Sequence, residues 1–185
     1  MKTTLHTIET APEASRPLLE GARKSFGFVS NLLATFANAP AALEGYLGIG
    51  KIYGQTSLSP TEQQVVLIAA SVDNECEYCV AAHTTIGQSQ RIEPAILAAL
   101  RDDAPLPDRK LESLRRFTKA VVRDRGWVGE AEQSAFLGAG YTEAQALEVV
   151  LGVTMKTLSN YTNHLTATPL DEAFRANAWS APVAA

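Results

Sequence analysis

Two cysteines and a histidine carry the most specific chemistry in this sequence. The run Glu75-Cys76-Glu77-Tyr78-Cys79-Val80-Ala81-Ala82-His83 holds the only two cysteines, three positions apart, with His83 four positions further on. At about 100° per residue on a helix, Cys76, Cys79 and His83 fall within an arc of roughly 60°. Thiols at this spacing near a helix start close into a disulfide with little reorganisation. The helix N-terminus favours the thiolate on whichever sulfur lies nearest. His83, one turn beyond Cys79, is placed to take or return a proton as a thiol becomes a nucleophile or a leaving group. Glu75 and Glu77 oppose the thiolate, since nearby negative charge raises a thiol pKa. Competing readings are a zinc site, with His164 as a conceivable fourth ligand, and inert buried thiols.

The elements that would position these residues read as helices. Hairpin turns of the Asn-Gly or Asp-Gly type are absent, and so is sustained polar/β-branched alternation. Helices are expected over Pro12–Lys24, Ser30–Ala37, Ala41–Tyr53, Ser59–Val72, Glu75–Gln90, Glu93–Arg101, Asp108–Arg125 and Glu130–Leu137. A long one follows from Thr142 toward Leu165, and a last one lies near Leu170–Ala178. The tail 181–185 reads as frayed. Ser59-Pro60-Thr61-Glu62 is the clearest start, with a serine cap, proline in the first turn and an acid at the positive end of the dipole. Asn160-Tyr161-Thr162-Asn163-His164 is polar for a helix that otherwise reads as buried, which suits the wall of the thiol pocket or an oligomer contact. Trp127, Trp179, Tyr46 and Phe136 read as core or interface anchors. The expected fold is an all-α bundle of helical hairpins.

An echo supports two related halves, the second covering about 107–165. Thr61-Glu62-Gln63-Gln64 resembles Thr142-Glu143-Ala144-Gln145 at an offset of 81, which carries His83 onto His164. The reading is a degenerate duplication within one domain spanning 1–185.

Bulk properties exclude several classes. Apolar residues are 46% and charged residues 19%, an ordinary globular balance, and the net charge is −4. No basic block suggests nucleic acid. The longest apolar run, Val65 to Ala70, is far short of the ~20 residues of a membrane span, and the first residues lack the apolar core of a secretory signal. A cytoplasmic protein is expected, where a lone C-x-x-C suggests redox chemistry or half a metal site.

Leu58-Ser59-Pro60-Thr61-Glu62-Gln63-Gln64, an apolar helix, and then Asn74 to His83 resemble the AhpD-like alkylhydroperoxidase core of the carboxymuconolactone decarboxylase superfamily, most strongly over 58–87. The resemblance implies an all-α homo-oligomer with peroxidase or disulfide-reductase activity. It implies Cys79 as the peroxidatic thiol, Cys76 as the resolving thiol and His83 in a proton relay. A hydroperoxide would be the substrate and an external dithiol the reductant, with no metal, haem or flavin. Decarboxylases of the superfamily generally lack the thiol pair. The family's relay glutamate falls at Gln64, which cannot act as a base. Glu62 lies about 160° around the helix from Gln64 and points away. Glu75, about 40° from Cys79 if the helix already includes it, is the better substitute, and Gln64 is left to orient His83. The alternatives are a disulfide reductase without strong peroxidase activity, a decarboxylase-type lyase and a zinc-stabilised assembly module.

Overall fold

The computed structural model describes residues 1–181, so positions 182–185 of the expected frayed tail lie outside the described residues. Nine α-helices are described: α1 (Arg16–Phe26), α2 (Asn31–Phe36), α3 (Pro40–Tyr53), α4 (Pro60–Asp73), α5 (Glu77–Ser89), α6 (Pro94–Arg101), α7 (Arg109–Arg123), α8 (Glu130–Gly138) and α9 (Glu143–Thr166). There is no strand among the described residues. The fold is all-α, as expected. No described helix is long and apolar enough to cross a membrane.

The Ser59 start forms as a reciprocal cap. The Glu62 N–H donates to Ser59 Oγ at 3.3 Å, and the Ser59 N–H donates to Glu62 Oε2 at 2.8 Å. Glu62 is thereby committed to the helix end, where Lys110 also pairs with it at 3.3 Å. From Gln64 to Val72 every α4 residue is buried. A helix apolar all round belongs in the middle of a bundle, and α4 packs against α5, α6, α7 and α9. This explains why the longest apolar run of the sequence is a core and not a span.

α9 begins with the same device, Thr142 capping Gln145. The two caps, Ser59 and Thr142, are 83 positions apart, so the offset of 81 seen in sequence does not superpose the helix starts. The first half also breaks between α4 and α5, where α9 runs unbroken.

Three expectations are corrected. The first helix starts at Arg16, after a single 3-10 turn at Glu13–Ser15. The last helix is a 3-10 segment, Glu172–Asn177. Its cap Asp171 is held by other elements, accepting from the Asn31 N–H at 3.0 Å and from the Tyr78 hydroxyl at 2.5 Å. Trp127 is 88% exposed and so is no core residue of the chain, whereas Phe136 is buried and stacks on Phe117 and Tyr141.

α9 approaches α3 and α4 through Gly152. A Cβ there would meet Tyr53 Cε2 and Val66 Cγ1, both at 2.8 Å. Gly152→Ala is expected to cost about 1–3 kcal/mol through overpacking. Gly45→Ala, in open space on the exposed face of α3, should be neutral or stabilising by up to ~1 kcal/mol. Thermal unfolding of both variants checks this; equal midpoints would mean that the α3–α4–α9 contact is looser than described.

Candidate functional site

The thiols sit where α5 begins. Between α4 and α5 the chain turns through Asn74 and Glu75, the latter in the left-handed region at φ +54°. Cys76 follows as the N-cap, with φ −88° and ψ 91°, and its carbonyl accepts the first helical bond from the Val80 N–H at 3.0 Å. The helix therefore starts two residues later than expected. Cys79 lies in its first turn and His83 one turn on.

This late start removes Glu75 from the site. Its side chain is exposed, because the left-handed turn carries it off the helical face on which the 40° estimate depended. Gln64 stands where the sequence suggested. It is buried on α4, and its Oε1 accepts from His83 Nδ1 at 3.0 Å. With Nδ1 donating, the lone pair of Nε2 is left to act as acceptor. Burial, and then the charge of Lys156, hold His83 well below the usual imidazole range, so it is neutral at physiological pH.

Cys76 and Cys79 are both free thiols, each 1% exposed, within a cluster formed with Leu32, Leu33, Phe36 and Tyr78. Asn163 on α9 reaches both: its Nδ2 donates to Cys79 Sγ at 3.3 Å and to Cys76 Sγ at 3.7 Å. The Ser159 hydroxyl lies 3.7 Å from Cys79 Sγ. Asn160 ties the same helix to the turn, accepting from Asn74 Nδ2 at 3.0 Å and donating to Ser71 Oγ at 3.5 Å. Tyr46, half-buried on α3 and stacked on Phe36, neighbours Cys79 and Ser159.

The two thiols are electrostatically unlike. Burial alone would raise Cys79, but the hydrogen bond from Cys76, the charge of Lys156 and the Ser159 hydroxyl outweigh it and hold Cys79 well below the usual thiol range. Cys76 is pushed far up by its hydrogen bond to Cys79 and by burial. The surroundings thus favour the thiolate on Cys79 and the protonated thiol on Cys76.

Lys156 and Ser159 escaped the sequence reading, whereas Asn163 belongs to the polar stretch expected at the wall of the thiol pocket. Positions 156, 159 and 163 follow a 3-and-4 spacing that puts them on one face of α9, and the polar stretch 160–164 hinted at that face. Asn160 and Asn163 do turn inward, while Tyr161 and His164 are exposed. His164 is thus removed from the thiols. No three His, Cys, Asp or Glu side chains converge as a metal-ligand set among the described residues.

Two surface clefts lie elsewhere. One, of about 420 Å³, lies between α7 and α8 and includes Arg109, Arg116 and Glu132. The other, of about 320 Å³, lies beside Leu5–Glu9 and Arg23.

Comparison with known proteins gives a consistent result. The carboxymuconolactone decarboxylase family matches over residues 37–118. No curated protein matches. Among solved structures, an uncharacterized peroxidase-related protein with an alkylhydroperoxidase AhpD core from Ralstonia eutropha JMP134 is similar at TM-score 0.83 and 21% identity, covering 94% of this chain and 93% of that one. A peroxidase-related protein from Silicibacter sp. TM1040 is similar at TM-score 0.79 and 18% identity, with 96% of each chain covered. The debrominase Bmp8 is similar at TM-score 0.79 and 16% identity, covering 96% of this chain and 95% of that one. A cysteine-to-alanine variant of Bmp8 has been solved with 2,3,4-tribromopyrrole. The family match runs from α3 into α7 and the fold is shared almost end to end with these proteins, so the chain is similar to the carboxymuconolactone decarboxylase family over residues 37–118 and has the AhpD-like fold.

Proposed function

We propose that this protein is a thiol-dependent hydroperoxide reductase with an antioxidant role, cycling through a Cys76–Cys79 disulfide. The pairing of a thiolate at Cys79 with a thiol at Cys76 carries the reading. Cys79 attacks the terminal oxygen of a hydroperoxide, the O–O bond breaks, an alcohol leaves, and Cys79 becomes a sulfenic acid. The Cys76 thiol condenses with it, releasing water and closing the disulfide. Neutral His83, oriented by Gln64, accepts or relays the Cys76 proton. An external dithiol restores the thiols in a reducing, cytoplasmic setting. Both sulfurs are almost wholly covered, so turnover includes a local opening that admits the substrate.

Titrating free thiols before and after one equivalent of an organic hydroperoxide tests the reading. Two thiols per chain are expected to disappear and to return with dithiothreitol. Retention of both would reject it.

The likeness to Bmp8 favours a second substrate class for the same pair. A thiolate attacks an aryl bromine as it does a peroxide oxygen; the carbon takes a proton, and Cys76 then displaces bromide to give the same disulfide. Comparing rates with an organic hydroperoxide, a bromopyrrole and a small aromatic disulfide ranks these activities. A hydroperoxide rate below the other two would make the protein a dehalogenase or a disulfide reductase.

We also propose a homo-oligomer. Leu147, Val150, Tyr161 and Leu165 are exposed along α9, and at about 100° per residue they fall within an arc of roughly 60° on one face, which suits a partner helix. Light scattering should give a multiple of the 19.8 kDa chain mass. Leu147→Glu with Leu165→Glu should return the monomer; an unchanged mass would place the interface elsewhere.

A further inference from the structure

Lys156 has no part in the cycle as written above, yet it is completely buried, and its Nζ has no hydrogen-bond partner. An ammonium in such a place is costly unless an opposite charge balances it. Its helix face carries Ser159 and Asn163, the two side chains that touch the sulfurs. From α5 the titratable groups around it are Cys79, Cys76 and His83. From α3, Tyr46 shares the same sulfur and Tyr53 packs toward Glu62 and Glu148.

The carboxylates of the neighbouring helices are either engaged elsewhere or exposed, as Glu44 on α3, Glu77 on α5 and Glu143 at the start of α9 are. On α4, Glu62 is held by Ser59 and Lys110, and Asp73 by Lys119 and Arg123. On α7, Glu112 is paired with Arg115. Helix α2 has no titratable side chain. On α9 itself, Glu148 accepts from Ser57. The counter-charge left to Lys156 is the Cys79 thiolate, and that charge exists only in the reduced protein.

We propose that Lys156 is the proton carrier of the thiol cycle: charged while Cys79 is a thiolate, neutral while the disulfide stands. The inference rests on the thiol cycle proposed above. In the first step the Cys79 thiolate forms the S–O bond, the O–O bond breaks, and Lys156 gives its proton to the departing alkoxide; the products are sulfenic acid, alcohol and the neutral amine. In the second, the Cys76 thiol and the sulfenic acid lose water and form the disulfide, with Lys156 unchanged. In the third, the external dithiol delivers two electrons and two protons. One proton goes to Cys76 and the other to Lys156, while Cys79 is regenerated as the thiolate. The site thus does with a buried cation what a carboxylate at position 64 would do as a base.

Two readouts test this. The first is thiolate absorbance near 240 nm as a function of pH. The second is the number of protons taken up per two electrons, read from the pH dependence of the disulfide midpoint in a dithiol redox buffer. The wild-type protein should show a thiolate at neutral pH and take up two protons. Lys156→Arg keeps a fixed charge, so the thiolate should persist while uptake falls to one. Lys156→Met should lose the thiolate at neutral pH and take up two protons, both on sulfur. One proton in the wild type, two in Lys156→Arg, or a thiolate retained in Lys156→Met would each overturn the proposal. The wild-type measurement decides even if a variant fails to fold. No reversible disulfide at all would instead overturn the thiol cycle on which the inference rests.

Discussion

Cys79→Ser should abolish hydroperoxide consumption, with a fall of roughly 10³-fold or more. The reason is chemical and local. Cys79 is the sulfur whose negative charge the surroundings favour, through Cys76, Lys156 and Ser159. A serine hydroxyl at the same place stays protonated and cannot pass through a sulfenic acid. The substitution is nearly isosteric, and the Asn163 amide can donate to oxygen as it does to sulfur, so helical content and unfolding temperature should barely change. Circular dichroism and a coupled peroxide assay on the same sample separate loss of chemistry from loss of fold. Full turnover in the variant would remove Cys79 from the mechanism. A decarboxylase-type lyase makes the opposite forecast, since activity on a lactone or keto acid would survive even Cys76→Ser with Cys79→Ser.

Cys76→Ser should behave differently. Its thiol is the group held protonated beside the nucleophile, and its assigned task begins only after the O–O bond has broken. The variant should consume about one equivalent of hydroperoxide in a single burst and then stall. The expected trapped species is a Cys79 sulfenic acid, detectable as a 16 Da mass gain or with a sulfenic-acid-specific dione. Because Cys79 is 1% exposed, an external thiol should rescue turnover poorly, and that makes the stall a sensitive readout. Multiple rapid turnovers would show that Cys76 does not resolve the intermediate.

Local information in the sequence stops short of the site's electrostatics. The cap at Ser59, the break at Asp73-Asn74 and the run of helices are local signals, written in side chains that satisfy their own backbone neighbours. They placed Cys76, Cys79 and His83 at the start of one helix, and the structure brings them there. The Gln64–His83 hydrogen bond was also within reach, since it joins two helices through the motif that carries the family resemblance. Glu75 failed for a reason only a few residues wide. A left-handed turn at Glu75 delays the helix, and the angle between residues 75 and 79 has meaning only inside a helix.

By itself, the sequence determined the fold class, the helix order, the thiol pair and its histidine, because propensity, capping and periodicity act over a few residues. Only the tertiary structure decided which sulfur the surroundings favour as the thiolate. That depends on α9 crossing the start of α5, about eighty residues along the chain, and on the burial that strips water from Lys156 and makes its charge count. Long-range packing chose the partner, and low dielectric gave it force. Neither can be read from the spacing of residues along one segment.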